Sequence, residues 1–373
     1  MKLVIISHTE HYKKEDGTIV GWGSTINELN HLIEIFDEII HVAMLHPGIP
    51  PQSSLPYTSS KIKFVALPPV GGKSVINKLQ IILNIPKIIR IVSKNIKDSD
   101  VFQLRTPTGI GVFLIPYLSF FVKTRGWYKY AGNWKQENPP LGYRLQRWML
   151  KSQSRKVTVN GLWKNKSQNI LAFENPCLTD GDRIIGDQIT KQKELTKKGT
   201  YCFVGGLSEN KGIDKIFEAF MGMSNDKIDT LHVVGDGVLK KELESKAQKL
   251  SINVIIHGSL SKNEVQEIYK SSHFILLPSQ SEGFPKVIGE AMNYGCIPIV
   301  SKVSCINQYI KNDYNGFLIH PITSDEVRKM IFKSIALNHK KYTAYITENY
   351  KLAEKFTYNY YLKQIQKEIL KNN

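Results

Sequence analysis

Residues 274–300 read FILLPSQSEGFPKVIGEAMNYGCIPIV. The apolar runs 274–277 and 297–300 are short enough, and sharply enough bounded by polar and turn residues, to be buried strands. Between them a loop rich in Ser and Gly leads to Pro285, which suits a first helical turn because its missing N–H would be unpaired there anyway. Residues 286–294 then form a helix. Strand, helix and strand in this succession imply a parallel sheet covered on both faces.

The same alternation extends outward in both directions. Downstream of 200, strands read at 201–204, 230–234, 254–256, 274–277, 297–300 and 316–319, and helices at 213–221, 238–250, 262–270, 286–294 and 324–337. Upstream, a strand reads at 2–7, followed by a loop holding Gly17, Gly21 and Gly23. Ser24 then caps a helix with Ile26, Leu29, Leu32, Ile33 and Phe36 at helical spacing. Further strands fall at 39–45, 62–67, 101–104, 127–131, 157–159 and 170–173, with helices such as 76–92 and 141–150 among them. Residues 180–198 are polar, contain Gly181 and Gly186 and show no apolar period, so they read as a linker. A length of 373 residues suits two domains. The expected division is 1–180 and 199–340, with a closing helix over 341–373. The fold class is α/β, two Rossmann-like doubly wound domains with a cleft between them.

With 42% hydrophobic and 22% charged residues the composition is that of a globular chain. Residues 1–7 are too short an apolar start for a secretion signal. Residues 109–122 are apolar but interrupted by Pro116, and fall short of the roughly 20 residues a membrane span needs. Cys177, Cys202, Cys296 and Cys305 are scattered without CxxC spacing and read as reduced thiols of a cytoplasmic protein. The net charge is +17, and residues 1–180 hold 23 Lys and Arg against 12 Asp and Glu. The densest part, 121–166, sets eleven basic residues (Lys123 to Lys166) against Glu137 and adds Trp127, Tyr128, Tyr130, Trp134, Tyr143 and Trp148. That mixture suits a peripheral position on an anionic membrane surface. Nucleic acid is not an expected partner, because no binding motif or stacking platform appears.

In parallel sheets ligands bind beyond the carboxyl ends of the strands, so the chemistry belongs in strand-to-helix loops. In Ser281-Glu282-Gly283-Phe284-Pro285-Lys286-Val287-Ile288-Gly289-Glu290, the free amides of Lys286 and Val287 and the helix dipole form an anion site suited to a diphosphate. Gly283 admits close backbone approach. Glu282 and Glu290 can each accept two hydrogen bonds from vicinal hydroxyls, as on a sugar and a ribose. Eight residues apart along one loop and helix, the two carboxylates would not flank a glycosidic bond as a hydrolase pair must.

This Glu-x7-Glu string, continued by Glu290-Ala291-Met292, Gly295 and Pro298, resembles the donor motif of retaining family 4 glycosyltransferases of GT-B fold. Phe203-Val204-Gly205-Gly206-Leu207 with Lys211-Gly212, then Val234-Gly235-Asp236-Gly237, His257-Gly258-Ser259-Leu260 and Asn315-Gly316, agree in order. The resemblance implies a nucleotide-sugar donor of UDP or GDP type, used as a co-substrate with no cofactor or metal. It also implies a glycan or lipid-linked acceptor on the first domain and a closing helix that returns to that domain. Glu290 would bind the ribose and Glu282 the transferred sugar, beside Gly283, Phe284, Pro285, Lys286 and Val287. Lys211 would meet the diphosphate, next to Gly205 and Gly206.

Two departures weaken the pattern. Gly206 stands where the family carries an Arg, a cation that Lys286 or Arg105 would have to replace. The first domain also lacks the His many members carry near 102–107. Ala131-Gly132-Asn133-Trp134 loosely resembles a Gly-Asp-x-Trp variant. Arg105 and Asn133, with Gly21 and Gly23, are therefore the acceptor-side candidates, and Asn133 joins Glu282 and Lys211 as a catalytic one. His8 and His11 read as surface histidines. Asp98-Ser99-Asp100 looks like a metal motif but precedes a strand, away from the carboxyl ends. Hence the expectation is of retaining sugar transfer. The alternatives are a GT-B-fold binding protein without turnover and an epimerase or phosphorylase.

Overall fold

The computed structural model describes residues 1–72, 75–163 and 167–371, with 75–79 described by their backbone. Lys164 and Lys166 of the basic stretch, and residues 372–373 of the closing helix, lie outside the described residues. The chain divides into two compact units, Met1–Phe173 with Leu362–Asn373, and Glu174–Tyr361. The boundary thus falls inside the last helix rather than at 341.

The first unit contains, in chain order, β1 (Lys2–Lys13), β2 (Ile19–Trp22), α1 (Gly23–Leu32), β3 (Glu38–Leu45), β4 (Ser54–Pro56), β5 (Ile62–Leu67), α2 (Val75–Lys97), β6 (Val101–Thr106), α3 (Gly111–Phe120), β7 (Arg125–Tyr130), α4 (Leu141–Lys151), β8 (Val157–Asn160) and β9 (Ile170–Phe173). The parallel strands lie in the order β5-β3-β1-β6-β7-β8-β9, and β2 and β4 add an antiparallel ribbon along the far end of β1. Burial on both faces explains the continuous apolar runs. On β7, the successive residues Trp127 and Tyr128 point to opposite faces, yet both are fully buried. Trp127, Tyr128, Tyr130 and Trp134 are therefore core, while Tyr143 and Trp148 remain exposed. The apolar stretch 109–122 becomes α3, and no described helix is long and apolar enough to cross a membrane.

Two local expectations fail here. The glycine-bearing segment after residue 7 is a hairpin, not a loop. β1 shifts register against β3 between Ile6 and Glu10, a bulge, and then pairs His11 to Lys13 with β2. Gly21 serves that pairing, since a Cβ there would lie 2.4 Å from the His11 ring. Helix α1 starts at Gly23 with Trp22 at its cap and no side-chain cap bond, so Ser24 is not the cap.

The second unit contains α5 (Asp180–Gln192), β10 (Gly199–Val204), α6 (Ile213–Phe220), β11 (Ile228–Val234), α7 (Lys240–Ala247), β12 (Asn253–Gly258), α8 (Lys262–Ser271), β13 (Phe274–Leu277), α9 (Lys286–Asn293), β14 (Ile297–Ser301), α10 (Ile306–Tyr309), β15 (Phe317–Ile319), α11 (Ser324–Ile335), α12 (His339–Ala353) and most of α13 (Tyr358–Gln364). Its six strands are parallel in the order β12-β11-β10-β13-β14-β15, the doubly wound arrangement.

The expected linker is instead mostly helix α5. Thr179 and Asp182 form a reciprocal capping box, with Asp182 N donating to Thr179 Oγ1 at 3.1 Å and Thr179 N to Asp182 Oδ2 at 2.9 Å. Asp182 also accepts from Lys262 and Gln266 of α8 and from Tyr294. Polar contacts rather than an apolar stripe hold the helix down, which is why its period was silent.

Candidate functional site

In the second unit β10 and β13 are neighbours, but the chain leaves β10 toward β11 and leaves β13 toward β14. Loops that part in this way open a crevice at the carboxyl ends, where such sheets bind ligands. The loop after β10 carries Gly205, Gly206 and Lys211; the loop after β13 carries Glu282 and leads into α9. A hydrogen bond from Gln280 N to Asn210 O, 2.9 Å, ties the two loops together. Gly212 lets them meet, with φ +70° and Pro278 O only 2.2 Å from where a Cβ would stand. Across this junction Lys211 Nζ lies 2.5 Å from Glu282 Oε1, the carboxylate side chain being 9% exposed.

The loop before α9 is anchored along its length. Ser301 Oγ donates to Ser279 O at 2.5 Å, Asn175 Nδ2 to Phe284 O at 3.4 Å, and the thiols of Cys305 and Cys177 to Gly283 O and Lys286 O, both at 3.5 Å. Phe284 is buried, stacked on Phe356 at 4.5 Å and edge-on to Tyr309 at 4.9 Å. Its ring is therefore a clamp, which leaves the backbone of Phe284 and Pro285 as what a ligand could meet. Val287 likewise packs its side chain against the core around Tyr269 and Tyr294 and offers only its amide. On α9, Glu290 accepts a long hydrogen bond from Tyr269 Oη, 3.4 Å. Burial pushes its carboxyl above the usual range, opposed by Lys286 and Lys262. The loop after β11 closes on that after β10 through Gly205 N to Val234 O and Leu207 N to Asp236 O. Around Gly206 there is room, since an added Cβ would meet nothing nearer than Asp236 O at 4.0 Å.

The first unit repeats the geometry at β1 and β6. Their ladder ends at Ile6–Leu104, and beyond it a cavity of about 610 Å³ opens between Ser7, His8 and Thr9 on one side and Arg105, Thr106, Pro107 and Thr108 on the other. Trp22 and Tyr143 stand at it as well. Arg105 is mostly committed. Its Nε donates to Gln103 Oε1 at 3.0 Å and its Nη2 to Glu28 Oε1 at 2.9 Å, while Lys129 Nζ reaches both Glu28 oxygens at 2.6 Å. Arg105 thus belongs to a buried ion cluster of the first unit. Asn133 Oδ1 accepts from Lys135 N at 3.0 Å, a turn, and Asn133 is not among the cavity residues. Gly21 and Gly23 are not either; at Gly23 a Cβ would lie 2.5 Å from Ser53 O, so both serve close chain packing. Asp100 accepts from the amide of Lys2 at 2.6 Å, a structural use of the Asp-x-Asp turn.

His8 and His11 are not surface residues. His8 is half-buried and lines the cavity, and His11 is fully buried. Behind the cavity wall runs a closed chain of hydrogen bonds. His11 Nδ1 faces the carbonyl of Thr9 at 3.0 Å, so it carries the proton and Nε2 accepts from Tyr57 Oη at 3.0 Å. Tyr57 Oη in turn accepts from His41 Nδ1 at 2.7 Å, and His41 Nε2 accepts from Ser7 Oγ at 2.8 Å. Thr9 N closes the ring on Ser7 Oγ at 3.2 Å. Burial favours the neutral imidazoles this requires, depressing His11 to about 4 and His41 well below its ordinary value. Sequence reasoning missed this ring, and Trp22 and Tyr143 as cavity residues, because their partners are far apart in the chain.

Residues 186–352 match the family Glycosyl transferases group 1. An uncharacterized glycosyltransferase of Haemophilus influenzae is 31% identical over 176 residues, covering 45% of this chain and 46% of that protein. A Campylobacter jejuni enzyme named as an undecaprenol-linked glycan α-1,4-N-acetyl-D-galactosaminyltransferase is 26% identical over 180 residues, 48% of this chain and 47% of its own. The chain thus spans under half the length of these curated relatives. Among solved structures, Anabaena HepE in complex with UDP and glucose superposes with a TM-score of 0.70 at 15% identity over the full length of both chains. Sucrose-phosphate synthase of Thermosynechococcus elongatus does so at 0.72 and 13%, over 98% of each. The fold is GT-B, with two Rossmann-like units.

Proposed function

We propose that the chain is a retaining glycosyltransferase that moves a sugar from a UDP- or GDP-sugar to a hydroxyl of a glycan or lipid-linked acceptor, without a metal. The observation that carries this is the Lys211–Glu282 pair across the β10–β13 crevice, at the entrance to α9. The family match over 186–352 and the sugar-transferring relatives support it. In this reading the diphosphate lies against the first-turn amides of α9 and draws Lys211 to itself. Glu282, released, accepts hydroxyls of the transferred sugar, and Glu290 holds the ribose. The bond from the anomeric carbon to the phosphate oxygen breaks as the acceptor oxygen bonds on the same face, and the acceptor proton goes to the departing phosphate.

Gly206, with no cation in the Arg position, favours a second reading, a binding protein of the same fold without turnover. An epimerase or phosphorylase using the same crevice is the remaining enzyme alternative. The proposed workplace is the cytoplasmic leaflet of a membrane. On α4 the exposed residues Leu141, Leu145 and Trp148 recur on one face among Arg144 and Lys151, a basic and apolar surface of the kind that lies on anionic lipid. Incubation with UDP- and GDP-sugars and glycan acceptors tests the function. Acceptor-dependent release of nucleoside diphosphate with a retained anomer is expected. Binding without release would favour the silent protein, and an inverted anomer would overturn retention.

A further inference from the structure

We infer that the crevice between the bulge of β1 and the carboxyl end of β6 is a subsite for a glycosyl phosphate, the anion being taken by the guanidinium of Arg105. The inference deepens the acceptor side of the proposed function and rests on it only for the word acceptor. Three observations carry it. First, the crevice has the size of a ligand site, about 610 Å³, and it opens where β1 bulges away from β6 after Ile6–Leu104. Second, its surface is of the kind that holds a sugar. Trp22, 60% exposed, and Tyr143, 36% exposed, line it together with Pro51, Pro107 and Ala131, and Thr9, Ser53 and Thr108 add hydroxyl-bearing side chains to this mostly apolar surface.

Third, Arg105 is the one Lys or Arg among the described crevice residues, and two of its three nitrogens are already placed. Nε and Nη2 fix the guanidinium plane against Gln103 and Glu28. Nη1 has no hydrogen-bond partner among the described residues, and Arg105 lines the crevice with 11% of its side-chain surface exposed. A guanidinium held rigid on two sides presents its remaining donors at little entropic cost and matches a phosphate oxygen better than a hydroxyl. Glu28 does not depend on Arg105 alone, because Lys129 holds both its oxygens. Glu10, the acid of the crevice, is exposed and accepts from Tyr12 Oη.

The test uses the full chain and follows Trp22 fluorescence. Titrants are the 1-phosphates of glucose, galactose and N-acetylglucosamine, their methyl α-glycosides and inorganic phosphate. At least one sugar 1-phosphate should bind tenfold or more tightly than its methyl glycoside, with a signal lost in Trp22→Phe. Arg105→Met should remove that tenfold preference while leaving methyl glycoside affinity unchanged, with a lower melting temperature from the lost bonds to Glu28 and Gln103 but a folded chain at the temperature of the titration. Trp22→Ala, at an exposed position, should weaken both sugar forms. Presenting the same sugar phosphate as a long-chain alkyl diester in phosphatidylcholine vesicles names the source: tighter binding than the free form assigns a lipid-linked ligand, weaker binding a soluble one. Equal affinity for phosphate and methyl glycoside, no binding by any 1-phosphate, or an unchanged preference in Arg105→Met would overturn the subsite. Failure of both UDP and GDP to bind, measured separately, would instead overturn the donor reading and leave this one standing.

Discussion

Lys211 and Glu282 meet at 2.5 Å although 71 residues separate them, because their loops follow neighbouring strands that wind away in opposite directions. Each holds the group the other would have to surrender to a donor. Loss of Lys211 should therefore cost turnover, by analogy with removal of one charge-stabilising donor, roughly 100-fold in kcat. Glu282→Ala should cost a similar factor. The double variant should fall well short of the product of the two, since the partners share one interaction. Steady-state kinetics with the active nucleotide sugar decide it, and strictly multiplicative effects would contradict the pairing. Glu290→Ala should raise donor KM more than it lowers kcat.

Gly206→Arg should strengthen the site. The position has no positive φ and the space beyond it is open to 4.0 Å. A new charge-assisted bond to phosphate is worth about 1.5 kcal/mol, roughly tenfold in affinity. Calorimetry with UDP and GDP reads the change; an unaltered dissociation constant for both would mean the diphosphate does not pass this residue.

Acid should loosen the first unit. A histidine depressed to about 4 in the fold takes its proton near 6.5 when unfolded, so the unfolded chain binds the extra proton first. Stability is then full above about 6.5 and falls as pH drops toward 4, by about 3 kcal/mol for His11. His41 and His8 act with the same sign in this unit, while Glu174 and Glu290, with raised values, act with the opposite sign in the second unit. Melting temperatures between pH 7 and 4 should decline. Tyr57→Phe, which strands one nitrogen on each imidazole, should lower stability by about 1–3 kcal/mol at pH 7.

The membrane reading is checked by sedimentation with liposomes. Binding should need anionic lipid and weaken as salt shortens the screening length to about 10 Å at 0.1 M. Trp148→Glu, at 63% exposure, should reduce binding without unfolding the chain. Equal partitioning to neutral and anionic vesicles would remove the claim.

The alternation of strand and helix was legible because strands buried on both faces are apolar at nearly every position, as 274–277 are throughout and 101–104 are except at Gln103. The hairpin of β1 and β2 was not, because His8 to Lys14 are mostly polar and the ring that seats them joins Ser7, His11, His41 and Tyr57 across 50 residues. α5 carried one readable sign, Thr179 three residues before Asp182, but its Ile184 and Ile185 face outward. The loop after β13 was legible as a turn leading into a helix. That Phe284 clamps it, that Asn133 merely shapes a turn, and that Arg105 is already bound to Glu28 depend on partners no local pattern announces.

The ring of hydrogen bonds behind the first crevice has one further consequence. The amide of Thr9 can only give and its carbonyl can only take, so the whole circuit is wired in a single sense. Every hydroxyl and imidazole in it already gives once and takes once. No member can accept a proton from an incoming alcohol unless its neighbour reverses, and that reversal is blocked at Thr9. Four titratable or hydroxylic side chains beside a substrate-sized hollow thus amount to scaffolding with no basic function. Deprotonation of an alcohol lodged there would have to come from outside the ring, from His8 or Glu10 at the same hollow or from the other reactant.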